Sequence, residues 1–276
     1  MSSFVTITLY TEESIIIEFL GGIKHEPNRK KEILIVILNE FADWEISYVA
    51  SFLNNTDKYI SKIVSVSEGV ITSIGGLNVL PDYTLESAPE DFYGLILIGG
   101  NSWRKPVSNK VIPIIEKALT MDIPVGAICD ATVFMGVNGW LNEVKHTSNE
   151  LHDLKTYAQD NYTNEKNYLL EQAVTDRKIV TANGTASLEF AREILELLEA
   201  YPKDYINQLY QFHKLGYYEA KRLVCKYQLF TMSIIIKMEN YGHCVLTTFT
   251  FQLLCIRKSW KSDAPLNFHL PFPPLR

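Results

Sequence analysis

One cysteine stands where a thiol can act as a nucleophile. Cys129 follows the apolar run 124–128, and a helical pattern begins directly after it at Asp130. A strand that turns into a helix at one residue pushes that side chain out of the sheet, as in a nucleophile elbow. The helix dipole then favours a thiolate, and the N–H of Asp130 can stabilise an oxyanion. The opposing interpretation, a buried apolar cysteine, stays open on this evidence.

Two other segments with polar and aromatic residues also follow buried strands. Residues 39–45 and 99–103 each come directly after a solidly apolar run. In an open α/β sheet, the ligand site lies beyond the carboxyl ends of the parallel strands. We therefore expect both segments to meet Cys129 in space. Trp44 and Trp103 belong to them and either shape a pocket or pack in the core.

The body of the chain alternates strands with helices. Two runs are continuously apolar, Glu32–Leu38 after its first residue and Leu95–Ile98 throughout. Such runs are typical of strands buried on both faces. The pattern predicts an α/β fold, with an open, mostly parallel sheet and helices on both faces. Further strands are predicted at 60–66, 123–128 and 178–180, a hairpin at 70–80, and helices at 44–53, 111–119, 186–199 and 204–218.

Composition and charge exclude several classes of protein. The chain has 276 residues, 47% of them hydrophobic and 21% charged, which is an ordinary globular composition. Its net charge of −6 argues against general binding to nucleic acid or to anionic membranes. No apolar run reaches the ~20 residues of a membrane-spanning helix. There is no Walker, C-x-x-C or H-E-x-x-H motif, so we predict no cofactor and no metal site.

The chain divides into three parts by composition. Residues 1–30 form an N-terminal extension that makes a poor signal peptide, so we expect a cytoplasmic protein. Residues 31–220 form the α/β domain. Residues 221–276 carry eight basic and two acidic side chains and three of the four cysteines. We interpret them as a basic appendage that is poorly ordered, with a small subdomain packed on the body as the alternative.

Several motifs, in order, resemble the ThiJ/PfpI family of the class I glutamine amidotransferase-like superfamily. The segment Ala127–Ala131 is similar to the family's elbow, Leu95–Asn101 to its strand ending in two glycines, and Ala42–Glu45 to its acidic segment. Residues 178–194 resemble the closing strand and helix. The resemblance covers about residues 31–220 and implies a flavodoxin-like sandwich.

The resemblance assigns roles to individual residues. It implies that Cys129 is the nucleophile, that Glu45 is the acidic partner beside it, and that the N–H groups of Gly100 and Asp130 form the oxyanion hole. Asn101 and Trp103, from the same strand end as Gly100, are further candidate binding residues.

The histidine that family members place near the sulfur is not clearly present. Asp130 occupies one of its usual positions, directly after the cysteine. The other position aligns with Asn149, and His146 lies three residues earlier, either near the pocket or on a surface loop. A protease triad is therefore doubtful, and a pair of Cys129 with a protonated Glu45 remains.

The first functional hypothesis is a cysteine-dependent hydrolase or amidase acting on a small-molecule or peptide substrate. The resemblance implies chemistry of glutamine amidotransferase, peptidase or glyoxalase and deglycase type. The second hypothesis is a stress-response protein without turnover that senses oxidants through Cys129. Family members often pair, so a homodimer is expected by resemblance.

Overall fold

The computed structural model describes residues 29–220 and Arg222. The N-terminal extension up to residue 28 and nearly all of the proposed appendage, 221–276, lie outside the described residues. The described part contains one sheet of seven strands and a separate two-stranded hairpin. Strand pairing in the large sheet is parallel except for one antiparallel pair at its edge. The predicted α/β class with a mostly parallel sheet is therefore confirmed.

Strands and helices alternate along the chain. The strands are β1 Lys31–Val36, β2 Tyr59–Ser65, β3 Ile71–Thr72, β4 Asn78–Val79, β5 Tyr83–Thr84, β6 Gly94–Leu97, β7 Val125–Ile128, β8 Ala173–Asp176 and β9 Ile179–Ala182. The α-helices are α1 Asp43–Asn54, α2 Ile112–Thr120, α3 Asp130–Val137, α4 Leu151–Ala158, α5 Ser187–Leu197 and α6 Lys203–Leu215. No helix in this part of the chain is long and apolar enough to cross a membrane.

Two apolar layers explain the uninterrupted hydrophobic strands. Successive side chains of a strand point to opposite faces of the sheet. In β1, Ile33 and Ile35 belong to the core that includes residues of α1, α5 and α6. Leu34 and Val36 belong to the opposite core, with residues of α2, α3 and α4. Because both faces are covered, β1 has no solvent face that would require polar residues.

The seven strands of the large sheet lie in the order β5-β2-β1-β6-β7-β9-β8, and β3 and β4 form the separate hairpin. This order creates a crevice in the middle of the large sheet. The chain runs outward from β1 to β2 and β5, and then returns to place β6 on the other side of β1. Such a reversal of direction opens a cleft beyond the carboxyl ends of the two central strands. The segments after β1, β6, β7 and β9 lead into this edge of the sheet.

Candidate active site

Cys129 occupies the turn between β7 and α3 in a strained backbone conformation. Its φ of 58° and ψ of −130° are values that residues with a side chain rarely adopt. The turn is held on both sides, since the Cys129 N–H donates to the Ala182 carbonyl and the Thr132 hydroxyl donates to the Cys129 carbonyl. The thiol is partly buried. The structure thus has the elbow geometry that the sequence predicts.

Glu45 lies fully buried beside this thiol. It belongs to the first turn of α1, the helix that follows β1. Its Oε2 accepts a hydrogen bond of 2.9 Å from the backbone N–H of Gly99. Its Oε1 has no well-aligned hydrogen-bond partner in the described part of the chain and lies next to the Cys129 thiol. One carboxylate oxygen therefore anchors the side chain, and the other is available for the thiol proton.

Two glycines make room for this pair. A β-carbon at Gly99 would stand 2.5 Å from the Cys129 Cβ and 2.6 Å from the Glu45 Oε2. A β-carbon at Gly184 would stand 2.9 Å from the Cys129 Sγ and 3.1 Å from the Glu45 Oε1. Both distances at Gly99, and the first at Gly184, are too short for packed carbon atoms. Any larger residue at either position would displace the sulfur or the carboxylate.

Asn149 closes the site on its solvent side. Its Nδ2 lies 3.3 Å from the Cys129 Sγ, and its Oδ1 accepts a hydrogen bond of 2.8 Å from the Gly184 N–H. The Gly184 carbonyl in turn accepts from Nε1 of Trp44, whose side chain is about half exposed. Segments after β1, β7 and β9 are thereby joined to the start of α4 around one sulfur atom.

Burial shifts the ionisation of both central groups. Loss of solvent raises the pKa of Glu45 to about 7, although its hydrogen bonds with Cys129 and Gly99 act in the opposite direction. Burial, followed by the charge of Glu45, raises the pKa of the Cys129 thiol to about 12. Hydrogen bonds from Asn149 and the Asp130 N–H counteract part of that increase. Near neutral pH the pair therefore holds one proton or two, with the thiol protonated.

The expected oxyanion donors are at this end of the sheet. The Asp130 N–H donates a hydrogen bond to the sulfur, which counteracts part of the rise in the pKa of the thiol. Gly100 has a φ of 142°, and a β-carbon there would stand 2.3 Å from the Glu40 carbonyl oxygen, so only glycine fits. Among the described residues, the backbone hydrogen bonds of this turn involve the Gly99 carbonyl and the Asn101 N–H but not the Gly100 N–H.

The carboxylate of Asp130 has a structural partner. Arg104 donates two hydrogen bonds of 2.7 Å to it and two more to Asp153 of α4. The guanidinium also stacks over the Tyr157 ring. Hydrogen bonds to both carboxylates raise the pKa of Arg104. This fork ties the loop after β6 to the helix that begins at the elbow.

Two predicted site residues have their side chains bound elsewhere. His146 is fully buried, and its ring nitrogens contact the Val144 carbonyl and the Tyr162 hydroxyl, not the sulfur. Trp103 is a core residue, because its Nε1 donates to the Ile98 carbonyl and its ring packs on Phe134. Asn101 is exposed next to Gly100, with its backbone N–H bonded to the Glu40 carbonyl, and its binding role stays a prediction.

Two site residues were not identified from the sequence. Gly184 follows β9 in the segment Asn183-Gly184-Thr185. Because ligand sites lie beyond the carboxyl ends of parallel strands, the argument that pointed to Cys129 also applies to Gly184. Arg104 directly follows the segment 99–103, but no local pattern shows that its partners are Asp130 and Asp153. Its role depends on contacts between three segments that are far apart in the sequence.

An open groove leads away from Asn149 along the start of α4. Its volume is about 400 Å³. The nearly fully exposed Leu170 and the ring of Tyr168 contribute apolar surface, and Lys155 contributes charge. Within the described residues no group of three His, Cys, Asp or Glu side chains is arranged to hold a metal ion.

The α/β domain is similar in sequence to known proteins. The model of the DJ-1/PfpI family matches residues 31–197. The chain belongs to the DJ-1/PfpI family. The "Uncharacterized protease YdeA" of Bacillus subtilis is 36% identical over 188 residues, which cover 68% of this chain and 93% of that protein. The "Uncharacterized protease YoaZ" of the same organism is 33% identical over 67% of this chain and 91% of its own length.

Solved structures of DJ-1/PfpI proteins have the same fold. A thiJ/pfpI family protein from Bacillus anthracis superposes with a TM-score of 0.66 at 31% identity, and the match covers 73% of this chain and 98% of that one. The DJ-1 superfamily protein Atu0886 from Agrobacterium tumefaciens gives a TM-score of 0.61 at 32% identity, over 66% of this chain and 97% of its own. The family that the sequence motifs resemble is therefore confirmed.

Proposed function

We propose that this protein is a cysteine-dependent hydrolase that cleaves amide bonds of small molecules or short peptides, with Cys129 as nucleophile. One observation carries the proposal. A partly accessible thiol at a strained elbow lies against Oε1 of a buried carboxylate, an oxygen with no other partner among the described residues, and a backbone N–H adjoins the same sulfur. A nucleophile, a proton acceptor and an oxyanion donor are the parts that acyl transfer needs.

The first half of the reaction forms a thioester. As the sulfur electron pair bonds to the carbonyl carbon, the thiol proton moves to Glu45 Oε1 and the carbonyl π pair moves to oxygen. The N–H groups of Asp130 and Gly100 stabilise that negative oxygen. When the carbonyl re-forms, the C–N bond breaks, and the leaving nitrogen takes the proton from Glu45.

The second half consumes water. A water molecule gives a proton to Glu45 as its oxygen bonds to the thioester carbon. When the carbonyl re-forms, the C–S bond breaks and the sulfur takes the proton back, releasing a carboxylic acid. Glu45 must be ionised to begin each half, so activity rises with pH through the carboxyl pKa of about 7.

The surroundings favour a substrate with an apolar part beside the reacting carbonyl. The groove next to Asn149 offers the exposed Leu170 and Tyr168 as apolar contacts. The relatives YdeA and YoaZ carry the description "uncharacterized protease", which agrees with amide chemistry without identifying a substrate.

The test is to trap the thioester. The full chain is incubated with p-nitrophenyl acetate and with p-nitroanilides of short peptides, and the acylated residue is located by mass spectrometry. We expect an acyl group on Cys129 and loss of nitrophenol release in Cys129→Ala. Equal release by Cys129→Ala, with no acyl group on Cys129, would contradict the proposal. Peptide mapping separates Cys129 from the other three cysteines.

A redox role is the second candidate function. It is favoured by the carboxyl group beside the sulfur and by the absence of an imidazole at Cys129 in the part of the chain that the structure describes. The raised thiol pKa weighs against it, because the thiolate is the form that peroxide oxidises. Conversion of Cys129 to sulfinic acid by mild peroxide, without activity on esters or amides, would favour this candidate.

We also propose that the protein forms a homodimer through the hairpin β3-β4. This hairpin exposes the large apolar side chains of Val70, Ile74, Leu77 and Leu80. It packs beside the first residue of α1, since a β-carbon at Gly75 would collide with the Asp43 carboxylate. Concentrated apolar surface of this kind is typical of protein interfaces.

A further inference from the structure

We propose that Asn149 is a catalytic residue that takes the place of an imidazole as a pure hydrogen-bond donor to the sulfur and to the oxyanion. The inference goes beyond the proposed function, because it concerns how the site is stabilised and not which bond it cleaves. It rests on the contact of 3.3 Å between Nδ2 and the Cys129 Sγ and on the hydrogen bonds that hold Asn149 in this position.

The orientation of the Asn149 amide is fixed by its other partner. The backbone N–H of Gly184 can only donate, so the atom that faces it at 2.8 Å must be the amide oxygen. The amide nitrogen is therefore turned towards the sulfur. Gly184 is itself held, since its carbonyl accepts from the Trp44 indole. The donor cannot be exchanged for an acceptor without breaking this hydrogen bond.

The segment that carries Asn149 is buried and anchored at each of the three preceding residues. His146 contacts the Tyr162 hydroxyl, the Thr147 N–H donates to the Thr181 hydroxyl, and the Ser148 hydroxyl bonds to that of Thr132. All three side chains of this segment are almost fully buried. His146 thus serves to position Asn149, although it does not reach the sulfur.

Asn149 differs from histidine in what it can transfer. A carboxamide carries two N–H donors and neither gains nor loses a proton near neutral pH. Since its side chain is exposed at the mouth of the site, it can donate to the sulfur and to a substrate oxygen. All proton movement then falls to Glu45, and a single titration governs the reaction near neutral pH.

The experiment measures alkylation of Cys129 by iodoacetamide, and acylation by p-nitrophenyl acetate, in five full-length proteins. They are the wild type, Asn149→Leu, Asn149→Asp, Asn149→His and the control Asn207→Leu, which changes an exposed asparagine of α6. Asn149→Asp keeps an oxygen for the Gly184 N–H and retains the side-chain shape, so it serves if Asn149→Leu does not fold. Circular dichroism and melting curves establish folding.

We expect Asn149→Leu to slow acylation at least tenfold, as loss of an oxyanion donor does, with kcat affected more than KM. Asn149→Asp should slow both reactions and move the pH midpoint of alkylation upward, because it adds a negative charge at the sulfur. Asn149→His should add a second titration near pH ~6.5. Asn207→Leu should match the wild type.

Two results separate this proposal from the proposed function. Wild-type rates and pH midpoints in both Asn149→Leu and Asn149→Asp would overturn the role of Asn149, whether or not amides are cleaved. Slower alkylation in both variants, in a protein that hydrolyses neither esters nor amides, would support Asn149 and overturn the hydrolase.

Discussion

At the scale of the residue, the site depends on a strained backbone at Cys129. A non-glycine residue with φ of 58° and ψ of −130° costs on the order of 1–3 kcal/mol. The surrounding hydrogen bonds, from Cys129 to Ala182 and from Thr132 to Cys129, hold the residue in that conformation. The strain directs the thiol towards Glu45 instead of into the packed sheet.

Replacing Cys129 by glycine should relieve this strain. Cys129→Gly and Cys129→Ala both remove the thiol, but only glycine adopts the observed backbone angles without a steric penalty. We expect Cys129→Gly to be more stable than Cys129→Ala by roughly 1 kcal/mol, as measured by urea unfolding. A Cys129→Gly protein that is less stable than Cys129→Ala, by the roughly 0.5–1 kcal/mol that glycine loses in chain entropy, would mean that the elbow carries no strain.

Much of the candidate site follows from residue types and their positions after strands. Cys129, Glu45 and the glycine pair each follow an apolar strand, and the structure brings them together. His146 behaves differently, since Lys145-His146-Thr147-Ser148-Asn149 resembles a polar surface loop. Its burial depends on Tyr162 and Tyr168, whose rings meet the imidazole edge to face. Such contacts with residues far along the chain leave no pattern in the local sequence.

At the scale of the element, four strand ends and the start of α4 converge on one sulfur. The ends of β1, β6, β7 and β9 supply Glu45, Gly99, Cys129 and Gly184 in turn. This convergence leaves little free volume, so small residues matter as much as reactive ones.

A single methyl group at Gly184 should disable the site. In Gly184→Ala the new β-carbon would stand 2.9 Å from the Cys129 Sγ and 3.1 Å from the Glu45 Oε1, which forces the pair apart. We expect alkylation of Cys129 to slow at least tenfold, because the proton acceptor is displaced. The matched control is Gly69→Ala, where the nearest atom is 4.0 Å away, and it should react like the wild type.

Elements were predictable where burial is uniform. The strands β1, β6 and β7 are continuous apolar runs and were predicted within a few residues. The edge strands β5 and β8 were missed, because β5 has two residues and β8 pairs on one side only. Helix α4 was missed as well, since its exposed face is polar and only Leu154 and Ala158 are buried.

At the scale of the whole molecule, the buried carboxylate makes stability depend on pH. Folding raises the pKa of Glu45 from 4.5 to about 7, so the folded state binds this proton more strongly. Stability therefore falls as pH rises between these two values. Glu45→Gln should abolish that fall and gain on the order of 3 kcal/mol relative to the wild type between pH ~4.5 and ~8. Parallel urea curves for the two proteins across this range would contradict the burial of an ionisable Glu45.

The proposed dimer surface can be tested without touching the site. Leu77 is more than half exposed on the hairpin, so Leu77→Asp should leave the fold intact while placing a charge in the interface. We expect light scattering to show a dimer for the wild type and a monomer for Leu77→Asp. The control is Lys110→Asp, which places the same charge at an exposed residue outside the hairpin and should remain a dimer. A monomeric wild type would overturn the proposal.

The measurement that tests the central claim most directly is the pH dependence of Cys129 alkylation in the wild type and in Glu45→Gln, followed by mass spectrometry. If thiol and carboxylate share a proton, wild-type alkylation rises through pH 7, at the Glu45 pKa of about 7, and reaches a plateau. In Glu45→Gln that rise disappears, and alkylation begins only above the ordinary thiol pKa of ~8.5. A single titration near ~8.5 in both proteins would show that Glu45 does not act on the sulfur.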